Sequence, residues 1–411
     1  MTGTPTATAA RVTVLSSAAE AISAARAYAA SIADGAITRD RAGRVPYPEL
    51  AALDASGLLA ITVPAVHGGP DLSPVVLAEV IRTIAAVDPA IAQIPQAHFL
   101  FVDLLAVHGS PEQQRRLFMD VLAGARLGNG VAERGGKHAQ DLKTRLRSAH
   151  PNPGPPLRLD GRKYYCTGAI SARWIGVTAL DDAGRLALAF VDRHAPGVTI
   201  DEDWDVMGQR ATVSGTATFD RVPVEPGLVV PYAGAFEMPQ QFGARTQLVH
   251  TAIQVGIAGG ALRDAGAFVR TKARPFFEAT RSGWADTAAA DPHTIHRFGR
   301  LATQVAAAEA LLASAAATLA EVTRFPRNAE EAARGSIAVA EAKAFASDTA
   351  VEVASELFAL AGASAADERY DLSRHWRNAR THASHDPVDW KYHHVGNYLL
   401  NDALPPNHGQ L

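Results

Sequence analysis

A single cysteine, Cys166, is all the thiol chemistry this chain of 411 residues carries. One thiol excludes an internal disulfide and any cysteine-based zinc centre, and it suits a reducing cytoplasm. Charge is scarce in blocks of either sign: 39 Lys and Arg stand against 42 Asp and Glu, interspersed, for a formal net charge of −3. No basic block points to nucleic acid, and no acidic tail to a solvating segment. From Met1 to Ala10 the chain is Thr- and Ala-rich, with no basic stretch leading into an apolar one. No signal peptide is expected, nor is any apolar run read as long enough to span a membrane. The common phosphate and nucleophile loops are missing too. There is no G-x-G-x-x-G after a strand, no G-x-x-x-x-G-K-[ST] and no G-x-S-x-G elbow. The chain reads as a soluble cytoplasmic protein.

What is present is apolar and helical. The composition is 47% hydrophobic, enough for a large core and two or three sub-domains. Up to about residue 125 apolar residues recur at helical spacing. Asp88-Pro89 and Ser110-Pro111 read as helix starts, each an N-cap followed by proline. From Gly124 the pattern changes to strand-like alternation rich in Gly, Thr and Val. Leu157 to Gly168 reads as a hairpin turning at Asp160-Gly161, and a second strand pair flanks Asp182-Ala183-Gly184. Helices return from Gln241, with long Ala-rich runs that suit a bundle and an oligomer. The fold class expected is α+β, mostly α: an all-α domain over 1–125, a β domain over 126–238 and a helical bundle over 239–411. Residues 1–12 are expected to be unstructured.

Chemistry-bearing residues concentrate near the C-terminus, in Arg377-Asn378-Ala379-Arg380-Thr381-His382-Ala383-Ser384-His385-Asp386-Pro387, with His393 and His394 just beyond. Asp386-Pro387 reads as a helix N-cap and first helical residue, which puts His385 ahead of a helix N-terminus, half exposed and able to face a cleft. His382 and His385 are three apart, as are His293 and His296. Either pair could share a metal, but neither has acidic partners at ligand spacing, so no metal site is assigned.

Three further motifs carry a resemblance. Gly161-Arg162-Lys163-Tyr164-Tyr165-Cys166-Thr167-Gly168-Ala169, Trp204-Asp205-Val206-Met207-Gly208-Gln209-Arg210-Ala211-Thr212 and Phe219-Asp220-Arg221-Val222-Pro223-Val224 occur in that order. Together they resemble the acyl-CoA dehydrogenase superfamily, over roughly residues 30–405. The resemblance implies an N-terminal α domain, a middle β domain and a C-terminal four-helix bundle. Many dehydrogenases of that superfamily carry a carboxylate base in a Y-E-G-T segment, which this chain lacks. Tyr165 and Gly168 also replace its tryptophan and asparagine. The His-bearing segment is similar instead to the two-component flavin monooxygenases of this fold, the dibenzothiophene monooxygenase group and its sulfur-acquisition relatives.

That branch implies reduced FMN from a separate flavin reductase, O₂ as co-substrate, a hydroperoxide at flavin C4a and sulfoxidation of a small apolar substrate. His385 is then the expected acid/base, since imidazole titrates near working pH. Thr167 is expected to face flavin N5, with Cys166 as the fallback on the same strand. Tyr165 and Trp204 are expected as cavity walls, Asn129 against the isoalloxazine, and His98 in the substrate pocket. Arg274, with Lys272 beside it, resembles the arginine that takes a flavin phosphate across a subunit interface, as in a homotetramer. Two other readings stay open: an FAD-dependent acyl-CoA dehydrogenase, and a non-catalytic flavin-binding or scaffold protein.

Overall fold

The computed structural model describes residues 12–138, 141–149 and 156–411; all but the last of the twelve N-terminal residues expected to be unstructured lie outside them. Helices α1 (Ala18–Ile32), α2 (Ala36–Ala42), α3 (Tyr47–Ala55), α4 (Pro74–Ala85), α5 (Pro89–Gln93), α6 (Gln96–His108) and α7 (Pro111–Leu122) come first. Strands β1 (Leu127–Gly130), β2 (Arg145–Ser148), β3 (Leu157–Lys163), β4 (Trp174–Leu180), β5 (Leu186–Asp192), β6 (Val198–Ile200), β7 (Ala217–Val224) and β8 (Val229–Val230) follow. The chain ends in α8 (Phe242–Thr271), α9 (Phe277–Arg281), α10 (Pro292–Val322), α11 (Ala329–Ala361), α12 (Ser373–Ala383) and α13 (Val388–Asn401).

The helix starts follow their caps. Asp88 accepts from the Ile91 N–H, and Ser110 and Gln113 form a reciprocal capping box. The strands form one sheet in the order β6-β7-β3-β2-β4-β5-β8, with β1 added in parallel to β4. The β4–β5 pair is the antiparallel hairpin expected around residues 182–184. The other expected hairpin is not one. Asp160-Gly161 lies inside β3, where a bulge sits between Leu159 and Gly161. The alternation continues through it, Leu159 and Lys163 both buried, and Gly161 is needed because a side chain there would run into Thr144.

Among the described residues two stretches are long and apolar enough to cross a membrane by length and composition, Pro89–His108 and Pro292–Val322, although the sequence reading found none. The first is 78% buried inside the protein, and Pro95 interrupts it between α5 and α6. In the second, α10, 39% of the window is buried, on the side packed against α8 and α11.

The core has one part joining the N-terminal helices to α8, α10 and α11, a second between α6, α7 and the sheet, and a third against the other face of the sheet. Helix α8 is the axle: from Phe242 to Ala258 every residue is buried. Within that apolar run Gln247, His250, Thr251 and Gln254 recur at three- to four-residue spacing, a polar stripe on one face of a buried helix.

Asp386 does not cap α13. The cap is Pro387, and the Asp386 carboxylate turns inward between the ammonium groups of Lys343 and Lys391. Two buried opposite charges outweigh one helix-terminal N–H.

Candidate active site

Two loops of the β domain meet at Thr167. The first leaves β3 with Tyr165 in the left-handed region at φ 57°, followed by Gly168 at φ 73°. Beneath it Lys163 is fully buried, bonded to Glu133 at 2.7 Å and Thr178 at 3.1 Å, and so fixes where the strand ends. Asn129 joins this loop twice. Its backbone N–H donates to the Thr167 carbonyl at 3.0 Å, and its side-chain amide to the Tyr165 carbonyl at 3.3 Å. The second loop is Trp204–Ser214. The Trp204 indole N–H donates to the Gln209 carbonyl at 2.9 Å, and its ring meets Tyr165 edge-on with centroids 6.0 Å apart. Gln209 and Val213 also hold positive φ, at 54° and 42°. Backbone strain thus gathers around Thr167, where a packed surround must hold it.

Helix α12 clamps the second loop. Arg377 donates to the Met207 carbonyl at 3.0 Å, and the Asn378 side-chain oxygen accepts from the Gln209 N–H at 2.5 Å. Gly208 has to be glycine, because a side chain there would strike the Arg377 carbonyl. One turn further along the same buried face is His382.

His382 opens an imidazole cluster. Its Nε2 lies 3.1 Å from the Gln93 side-chain oxygen and 3.2 Å from Nδ1 of His250. The contact to an amide oxygen makes His382 Nε2 the protonated nitrogen. The His250 ring in turn stacks on His385 at 4.1 Å. Burial holds His250 and His382 well below the ordinary histidine range, so both are neutral. His385 is the exposed member, 43% accessible, with Nδ1 3.5 Å from the Asp386 carboxylate. Burial alone would raise that carboxyl. The hydrogen bond from His385 and the two lysines overcome it and hold Asp386 far below the usual range.

The two halves touch at residues 93–94. Gly168 packs on the Ile94 carbonyl, where a Cβ would sit at 3.0 Å, and the neighbouring Gln93 holds His382. A ring of contacts therefore runs from Thr167 through Gln209, Asn378, His382 and Gln93 back to Gly168. His385 stands at its edge through His250. A cleft of about 470 Å³ opens on the other side of α12, beside Asp348, Trp376 and Arg380. Of the C-terminal stretch it takes in Arg380 and Ala383, and none of the residues given a catalytic or flavin-binding role from the sequence lines it.

Two of those residues have other work. His98 is fully buried; its Nε2 donates to the Leu59 carbonyl at 2.8 Å and its Nδ1 accepts from the Leu127 N–H at 3.2 Å. With both nitrogens spent on backbone it braces α6 against β1 and leaves nothing for a substrate. Cys166 points into the sheet core, fully buried, with its thiol pushed up to about 12 by burial. β3 ends at Lys163, and in the loop beyond it Cys166 turns into the sheet core while Thr167 turns to Ser214, which ends the role of Cys166 as the fallback at N5.

Lys272 and Arg274 follow the C-terminus of α8, exposed, with Lys272 5.2 Å from the Tyr370 ring. Twenty-two residues of helix rise by ~33 Å, so a single chain does not bring them to His250.

His250, Gln93 and Ser214 were missed in the sequence, and Thr212, the last residue of the second motif, was given no role of its own. The polar stripe of α8 is the signal that marks His250; Gln93 and Ser214 carry none.

Burial pushes His98 down to about 4 from an ordinary 6.5. Its unfolded form therefore binds the extra proton, so its contribution is whole above pH 6.5 and drains away as pH falls towards 4. The loss is about 3 kcal/mol at the acid end. Melting curves against pH for the native chain and His98→Asn should diverge in slope across that window; parallel curves would remove His98 from the acid limb.

Comparison with known proteins agrees with this architecture. The acyl-CoA dehydrogenase N-terminal domain pattern matches residues 18–125, and the C-terminal domain pattern residues 248–390. The chain belongs to the acyl-CoA dehydrogenase family. Within that family it sides with the flavin-dependent monooxygenases. It is 32% identical over 398 residues to a dibenzothiophene monooxygenase of Rhodococcus erythropolis, covering 93% of this chain and 94% of the relative. It is 31% identical to a probable FMNH2-dependent monooxygenase, SfnC, of Pseudomonas putida, covering 94% and 96%. FMN-bound TdsC from Paenibacillus sp. A11-2 superposes with a TM-score of 0.89 at 30% identity, over 95% of this chain and all of that one (100%). The family's motifs acquire physical reasons here. The lysine of the first is a buried ion pair, and the glycine of the second is the docking point of α12.

Proposed function

We propose that the chain oxygenates a small, apolar, sulfur-bearing substrate, using O₂ and reduced FMN supplied by a separate flavin reductase. The observation that carries this reading is the state of Asp386. A dehydrogenase of this family needs a free carboxylate to take an α-proton. The carboxylate beside His385 is locked between two buried lysines. The mobile proton in that corner belongs to imidazole, which suits oxygenation. The names of the relatives, a dibenzothiophene monooxygenase and an FMNH2-dependent monooxygenase, support the substrate class and the cofactor.

The residues around Thr167 fit a flavin. A hydroxyl with unused lone pairs lies beside an aromatic wall, and both amide atoms of the neighbouring buried Gln209 are without partners. When bound, reduced FMN supplies the two electrons that split O₂, one atom going to sulfur and the other leaving as water. The protein's own work is positional. Asn129 and Thr167 meet the ring edge, Tyr165 and Trp204 cover it and exclude water, and His385 exchanges the proton at the reacting oxygen. Lys272 and Arg274 of a second copy hold the phosphate in a homotetramer. The uncovered face of α10 and the exposed Phe276, Phe277, Trp390 and Leu400 support such self-association. The setting is cytoplasmic, where a reductase can deliver the flavin.

The test is a single turnover under ¹⁸O₂ with photoreduced FMN and dibenzothiophene or an aryl methyl sulfide. Labelled sulfoxide is expected, with hydrogen peroxide appearing more slowly than from free reduced FMN. Peroxide released at the free-flavin rate, with no labelled product, would overturn the oxygenase. Reduction of bound FAD by an acyl-CoA would establish the dehydrogenase instead.

A further inference from the structure

We infer that Ser214 and Thr212 fix the direction of the Thr167 hydroxyl, and so make the site select reduced flavin over oxidised flavin. The inference rests on the flavin reading above and concerns residues with no other assigned role.

The argument is a count of protons. Thr212 has one hydroxyl proton, and it is committed to the Gln209 carbonyl at 2.8 Å. The 2.8 Å contact between Thr212 and Ser214 must then have Ser214 as donor. Ser214 also has only one proton, so in the 2.6 Å contact with Thr167 the donor is Thr167. The order cannot reverse, because the chain ends on a carbonyl, which only accepts. That carbonyl is itself pinned. Gln209 is buried in the left-handed conformation, its N–H is on Asn378, and its oxygen also takes the Trp204 indole N–H. Thr167, Ser214 and Thr212 are 8%, 5% and 3% exposed, so the chain is sheltered from solvent exchange of partners.

Thr167 is left able to accept and unable to donate. N5 of an oxidised isoalloxazine is an acceptor; N5 of a reduced one carries a proton and donates. Two acceptors facing each other leave both unpaired, whereas the reduced form makes a bond. An enzyme fed with reduced flavin from outside gains by this, since the oxidised product is released and the next reduced molecule is preferred.

Dissociation constants for oxidised FMN and for anaerobically reduced FMN test it. The native chain should bind the reduced form roughly tenfold more tightly, the scale of one net hydrogen bond. Ser214→Ala frees Thr167 to donate, and Thr212→Val frees Ser214 to donate back to Thr167. Each should bring the ratio of the two constants towards one, while Thr212→Ser should keep it. On a Thr167→Val background, Ser214→Ala should change nothing further. A native ratio of one or below, an unchanged ratio in both Ser214→Ala and Thr212→Val, or a shift that persists without Thr167 would each overturn the inference with flavin binding intact. Failure of the native chain to bind FMN in either state would overturn the flavin reading and this inference together.

Discussion

His385→Ala is expected to keep FMN binding and to lose oxygenated product by ~10²-fold or more, the usual scale for a lost acid/base group. Hydrogen peroxide should take the place of the missing product. The residue is exposed where its neighbours are buried, so its truncation leaves no large void. It stacks on a neutral His250 and touches a carboxylate that two lysines keep ionised, so its ring is held in place by groups that stay put. Both features argue for a defect in chemistry rather than in folding. The measurement is coupled turnover, product and peroxide quantified together, beside an FMN titration. Full product yield in the variant would take His385 out of the mechanism.

Asp386→Ala should be the most damaging change to stability. Lys343 and Lys391 are 5% and 4% exposed, and both point at this carboxylate. Removing it leaves two buried ammonium groups facing each other, a loss of about 3–5 kcal/mol. Asp386→Asn keeps the shape without the charge and should fare little better. Lys343→Met on the Asp386→Asn background should recover part of the loss, since one uncompensated charge goes with it. The carboxyl is depressed in the folded chain, so its contribution is complete above the ordinary carboxylate range and drains only as pH falls below it. Denaturation midpoints of the three variants check the order. An Asp386→Ala midpoint equal to the native one would mean that the cluster is solvated and carries little energy.

Local signals in the sequence were read correctly where the residues answer only to their neighbours in the chain. Ser110 with Gln113 and Asp88 with Pro89 start helices because capping is settled within four residues. Asp160-Gly161 and Asp386-Pro387 carry equally good local signals and do otherwise. Each is overruled by a partner far along the chain: Thr144 against Gly161, and Lys343 against Asp386. His98 failed for a related reason. A histidine in an apolar helix is as well suited to bridging two backbone groups as to meeting a ligand, and only the positions of Leu59 and Leu127 decide which. His250 stayed unread because the long apolar run of α8 hides its four-residue polar stripe. The C-terminal segment was legible as a cluster but not as a division of labour. Arg377 and Asn378 hold a β-domain loop, His382 holds His250, and His385 faces outward beside His250.

Helix α8 bears His250 near one end and leads to Lys272 and Arg274 at the other, too far apart for one chain to use both at one flavin. On the reading proposed here, each flavin is held by two chains and each chain holds two flavins. Cofactor retention then obeys mass action in protein as well as in FMN. The enzyme diluted below the dissociation constant of its own assembly would shed FMN while every chain remained folded, and added FMN would draw the chains back together.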